Sequence, residues 1–183
     1  MILEMCVKIK DGGKSWFFLS WIGDEPDVFS IMPASVRISD QEILITTRRE
    51  GPHRYISTYR SKDNGISRKK LGNPVDNTNR GNRPALAKMR DGRLRLIYKY
   101  QAEVEDIKNG TDTNDIRAKL SNKGGKTWCR DYVLHDDGSG KDLGYPRVVQ
   151  QADGKIVALY SFMVKETGPE RYIAATILGP PTY

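Results

Sequence analysis

The sequence is poor in the residues from which metal centres and disulfide frameworks are built. Two cysteines (Cys6, Cys129) and two histidines (His53, His135) are scattered through 183 residues, too few for a zinc cluster or a set of disulfide staples. No metal and no cofactor is therefore expected. No apolar run approaches the roughly 20 residues that span a bilayer, which argues against a membrane partner. The opening MILEMCVK has neither the length nor the small-residue cleavage site of a secretion signal, so the compartment stays open and any signal is expected upstream of these residues. Helical periodicity of useful length is missing too. Lys and Arg (30) outnumber Asp and Glu (23), for a net charge of +7, which favours an anionic partner. The basic residues are dispersed, with Arg68-Lys69-Lys70 the longest run. Neither a recognition motif nor an aromatic platform accompanies them, so nucleic acid is not the expected partner.

What the sequence does have is repetition. SNKGGKTW at 121–128 is echoed by IKDGGKSW at 9–16 and SKDNGISR at 61–68. Longer copies surround these boxes: PASVRISDQEILITTR from Pro33, PALAKMRDGRLRLIYK from Pro84 and PRVVQQADGKIVALYS from Pro146. Each places an Asp (Asp40, Asp91, Asp153) seven residues after its Pro and follows it with a β-rich run. From Pro33 to Pro84 is 51 residues and from Pro84 to Pro146 is 62, spacings at or just beyond those of propeller blades.

Each unit parses into four short strands. Ala34–Ile38, Ala85–Met89 and Arg147–Gln151 form the first, closed by turns at Ser39-Asp40, Asp91-Gly92 and Asp153-Gly154. Ile43–Arg48, Leu94–Tyr100 and Ile156–Phe162 form the second, near-continuous in apolar residues and so expected to be buried on both faces. Ile56–Arg60, Ile116–Leu120 and Ile173–Leu178 form the third, and the box then turns the chain into a fourth, such as Trp16–Trp21. The expected fold is all-β, a β-propeller fragment of about three four-stranded antiparallel blades. The single partial propeller divides into 1–32 (the end of one blade and a connection) and the units 33–83, 84–145 and 146–183. An open arc leaves unpaired edges and bare sheet faces, so self-association is expected of it.

The box pattern S-x-D-x-G-x-T-W resembles the Asp box of the sialidase (neuraminidase) superfamily. GYPRVVQQADGKIVALY and RYIAATI resemble the last blade of bacterial sialidase-like proteins with BNR repeats. The resemblance covers nearly the whole chain and implies the C-terminal half of a six-bladed parent. In the box, the Asp accepts hydrogen bonds from nearby N–H and hydroxyl groups, the Gly permits positive φ, and the Trp packs between sheets. Lys123 and Arg68 depart from this pattern and weaken their turns. The family's boxes lie on the face opposite the active site, so chemistry is sought on the other rim.

Strand direction puts Arg48, Arg49, Arg83, Arg117, Tyr145, Arg147 and an acidic loop with Asp24, Glu25 and Asp27 on that second rim. Sialidases use a Tyr nucleophile, which needs a carboxylate base because a phenol titrates near pH 10. Arginines hold the sugar carboxylate. The resemblance places Tyr145 at the nucleophile position and Arg48 at one position of the arginine triad. Where the family has the activating glutamate, this chain has Met32-Pro33, leaving Glu25 as the acid to consider. A further triad arginine falls near Thr113, leaving Arg117 for that role, with Arg83 and Arg147 as additional substrate-binding arginines. The remaining triad arginine and the acid/base aspartate belong to a first blade that this chain lacks. The expectation is thus a retaining sialidase-like glycosidase acting on an anionic glycan, inactive as this half alone. The alternative is a non-catalytic glycan-binding or scaffolding propeller.

Overall fold

Among the described residues the alternating segments and hairpin turns of the repeat give thirteen antiparallel strands. The computed structural model describes residues 4–23, 25, 29–51, 54–78, 83–101, 114–140 and 142–179. The first sheet pairs β1 (Glu4–Lys8) with β2 (Phe17–Ile22). The second runs β3 (Phe29–Arg37), β4 (Ile43–Glu50), β5 (Tyr55–Ser61), β6 (Lys69–Val75), and the third β7 (Ala85–Lys88), β8 (Leu94–Gln101), β9 (Asn114–Ser121), β10 (Tyr132–Gly138). The fourth contains β11 (Gly144–Gln150), β12 (Ile156–Phe162) and β13 (Tyr172–Leu178), with one 3₁₀ turn at Lys165–Thr167 between the last two. Every sheet is a simple up-and-down meander, and the sheets stack as consecutive blades of an open propeller arc. The first strands line its inside: β3 lies against β7, and β7 and β8 lie against β11.

The same turn closes β3–β4, β7–β8 and β11–β12: Ile38, Met89 and Gln151 donate their N–H to the carbonyls of Glu42, Arg93 and Lys155 at 2.8 Å each. The boxes turn the chain at the same end of the blades. Asp63 shows what the motif does. Its Oδ1 accepts from the Ser67 N–H (2.9 Å) and the Ser61 hydroxyl (2.8 Å), and its Oδ2 from the Ser67 hydroxyl (2.5 Å). Asp11 holds Ser15 in the same way. In the third box Ser121 Oγ still accepts from Lys123 N and Gly125 N, but Lys123 has no carboxylate with which to hold residue 127. Gly125 is required twice over: its φ is +83°, and a Cβ there would stand 2.8 Å from Leu44 Cδ2 on the preceding blade.

One core cluster fills each gap between sheets. Ile22, Ile45 and Tyr59 join the first sheet to the second. Ile56 and Val75 meet Leu96 and Tyr98 across the next gap, with Trp128 packed against them. The largest cluster, including Ile97, Ile116, Leu143, Tyr160 and Phe162, joins the third sheet to the fourth. Two-sided burial holds for β4 and β8, which lie between neighbouring blades. It fails for β12, where Leu159 is exposed, because no described sheet covers the far face of the last blade. Two other expectations differ from the structure. The inner strand β3 starts at Phe29, ahead of Ala34, because a bulge carries Pro33 within the strand, where its missing N–H breaks no ladder bond. The last blade has three strands instead of four among the described residues.

Candidate active site

Among the described residues three non-glycines adopt positive φ: Met32 (58°), Asn64 (58°) and Tyr145 (52°). Asn64 belongs to a box turn. Met32 and Tyr145 each precede a proline, a position that favours extended backbone. Each also sits where the pairing of an inner strand skips, between Ile31 and Ala34 in β3 and between Gly144 and Arg147 in β11. Such strain costs about 1–3 kcal/mol per residue and persists only where the surroundings impose it. At Tyr145 they do: Leu143 is fully buried in the largest core cluster, and Gly144 supplies a φ of +108°. The chain is thereby bent so that Tyr145 emerges on the rim opposite the boxes, 39% exposed.

The Tyr145 hydroxyl donates to Asp142 Oδ1 at 2.7 Å, and Asp142 Oδ2 receives Arg171 Nη1 at 2.9 Å. Its phenol titrates above the ordinary range, first because the Asp142 carboxylate accepts its proton, then through partial burial; Arg48 and Arg171 pull the other way. Tyr59 and Tyr98 are also raised, but chiefly by burial between blades. All three hydroxyls donate to a carboxylate; Tyr145 differs in being exposed, with the Asp142 hydrogen bond as the leading cause of its shift.

Arg48 and Arg83 lie within electrostatic reach of it, and Arg147 within reach of Arg83. Arg48, at the end of β4, is buried, paired with Glu50, and close enough to Tyr145 for the two charges to interact. Burial lowers its pKa, while Glu50 opposes the shift. Arg83, just ahead of β7, is lowered by desolvation and then by the neighbouring Arg147, and it too interacts with Tyr145. Its buried Nε has no hydrogen-bond partner among the described residues. Arg147 donates to the Pro146 carbonyl at 3.1 Å. Arg48 and Arg83 therefore each interact with Tyr145, and Arg147 reaches this group through Arg83.

Glu25 and Arg117 lie in other networks. Both Glu25 oxygens accept from the Tyr59 hydroxyl (2.7 and 2.8 Å), and Arg49 Nη2 (2.8 Å) and Lys70 Nζ (3.2 Å) pair with the same carboxylate. Arg117 stacks on the Tyr100 ring at 3.8 Å and is bonded to Asp115. Asp24, Asp27 and Thr113 lie outside the described residues. The carboxylate bonded to Tyr145 is Asp142, which sequence reasoning passed over together with Arg171. An acid three residues ahead of the tyrosine in a glycine-containing loop was the available signal. Among the described residues no group of three or more His, Cys, Asp and Glu side chains converges as a metal site requires.

Comparison with known proteins is decisive for the family. The BNR repeat-like domain family matches residues 3–158. The chain belongs to the BNR repeat-like domain family. No curated protein sequence matches it. Among solved structures, this family member resembles a Dyadobacter fermentans protein of unknown function (23% identity, TM-score 0.76, covering 96% of this chain and 45% of that one). It also resembles the glycoside hydrolase family 93 α-L-arabinofuranosidase of Fusarium graminearum (17%, TM-score 0.62, 96% and 55%). A third likeness is to the NanB sialidase of Streptococcus pneumoniae (16%, TM-score 0.60, 97% and 27%). The chain spans about half the length of these proteins or less. At such identities the likeness shows the fold: a sialidase-like BNR propeller, of the kind that glycosidases use.

Proposed function

We propose that this propeller half carries the tyrosine side of a retaining sialidase-like site for a terminal anionic sugar. Tyr145 is the nucleophile, forming a covalent glycosyl-tyrosine that water then hydrolyses. Arg48, Arg83 and Arg147 hold the sugar carboxylate through charge-assisted hydrogen bonds. The observation that carries this reading is Tyr145 itself: a strained, exposed tyrosine, bonded to a carboxylate, that shares its electrostatic neighbourhood with Arg48 and Arg83. A neutral phenol suits an anionic substrate, since a carboxylate nucleophile would repel it.

The test is hydrolysis of a fluorogenic aryl sialoside by the full-length protein and its Tyr145→Phe variant. The variant is expected to lose about 10³-fold or more in kcat while remaining folded. Equal rates in the two would remove Tyr145 from the mechanism. A second reading, a glycan-binding propeller without chemistry, draws on the engagement of Glu25 and Arg117 in other networks. It predicts sialyllactose binding, weakened by Arg83→Ala, with no turnover in any form of the protein.

A further inference from the structure

On the reading of Tyr145 as nucleophile, we infer that Asp142, held in place by Arg171, is the carboxylate that takes the phenolic proton. Nucleophile and base then come from one four-residue stretch, Asp142–Tyr145, that leads into β11 at the entrance to the last blade. The two oxygens of Asp142 divide the work: Oδ1 accepts from the Tyr145 hydroxyl at 2.7 Å, and Oδ2 is tied to Arg171 Nη1 at 2.9 Å. The ion pair fixes the rotation of the carboxylate, so the oxygen facing the phenol keeps its place. Between the two functional residues, Leu143 is anchored in the core and Gly144 turns the backbone, which converts a three-residue separation into a direct side-chain contact. Asp142 and Arg171 side chains are about half exposed (49% and 53%), so the pair can be reached by a substrate. Two other carboxylates of this rim among the described residues are engaged elsewhere: Glu25 by Tyr59, Arg49 and Lys70, and Glu50 by Arg48 and Arg54.

With an aryl glycoside of an anionic sugar the step balances without further groups. The Tyr145 oxygen bonds to the anomeric carbon as its proton passes to Asp142 Oδ1, and the aryl oxide leaves with the electron pair of the broken C–O bond. When water cleaves the glycosyl-tyrosine, Asp142 returns its proton to the departing phenolate and one water proton goes to solvent. Arg171 is a positioning residue.

Two measurements on the full-length protein test this. The first follows the Tyr145 phenol by NMR titration in wild type, Asp142→Asn and Arg171→Gln. The charged groups facing it are Asp142, Arg48, Arg171 and Arg83. Removing the accepting carboxylate while the cations stay must move the midpoint to lower pH. The second measures aryl sialoside turnover. Asp142→Asn is expected to lower kcat by about 10²-fold or more with little change in KM, Asp142→Glu to recover part of it, and Arg171→Gln to give an intermediate loss. If Tyr145→Phe is inactive but Asp142→Asn turns over like wild type, the inference falls while the site reading stands. A midpoint that ignores Asp142→Asn also overturns it. A wild type without turnover, or an active Tyr145→Phe, overturns both.

Discussion

Asp63 and Lys123 occupy one position of a repeated turn and show how much a single carboxylate does there. Hydrogen bonds from Ser67 and Ser61 hold the Asp63 pKa down to about 2. A depressed folded-state pKa means that the bonds stabilise the fold fully above the unfolded value near 3.8 and are lost as pH falls through the folded value. The stability difference between wild type and Asp63→Asn is therefore expected to be constant above about pH 4 and to shrink between pH 3.8 and about 2, as followed by urea unfolding. Taking the difference matters, because buried Glu4 has its pKa raised by desolvation and shifts overall stability in the opposite sense. Lys123→Asp should raise Tm by a few degrees and add a second acid-sensitive component. A difference that stays flat down to pH 2 would mean that Asp63 does not hold its turn in solution.

At the level of strands and turns, most of the architecture could be read from letters, because each turn announces itself chemically. Ser39-Asp40, Asp91-Gly92 or Asp153-Gly154 closes the first hairpin of a unit, the box closes the second, and the apolar second strand lies between them. Side-chain partnerships were harder. Tyr59 finds Glu25 across 34 residues and Arg171 finds Asp142 across 29, distances that local pattern cannot bridge. Tyr145 and Asp142 are near in sequence, yet their contact depends on positive φ at Gly144 and at a residue before proline, which propensity argues against. Strand direction assigns Arg48, Arg49, Arg83, Arg117 and Arg147 alike to one rim, and it does not say which of them interact with Tyr145. Packing at the third gap gives a quantitative check. Phe162 is fully buried on β12 and stacked on His135 of β10 with ring centroids 3.8 Å apart. Phe162→Ala is expected to cost about 3–5 kcal/mol in chemical denaturation; a loss below 1 kcal/mol would show that this gap is not the core it is described as.

For the whole molecule, the two ends of the arc have the character of interior surface. On the first sheet Trp16 is 65% exposed, with Phe17, Phe18 and Trp21 beside it, and on the last sheet Ile173 and Ile177 are 73% and 62% exposed. The box tryptophan explains one side. Trp128 packs against the cluster that Ile56 and Val75 of the preceding blade form with Leu96 and Tyr98, whereas Trp16 lies beside the first described sheet, which no described blade precedes. Exposed apolar side chains of this kind drive association, and among the described residues no strand pairs with the outer edge of β13. The 183-residue chain by itself is therefore expected to associate as its concentration rises in sedimentation velocity. Replacing Ile173 and Ile177 together by Lys should shift the distribution toward monomer without lowering Tm, since neither side chain is buried. A monodisperse, cooperatively melting monomer at all concentrations would mean that these faces are covered in a way the described residues do not show. Dissociation by added salt, with no response to the lysine substitutions, would place the contact on the charged rim instead, because screening weakens ion pairs and leaves apolar contacts in place.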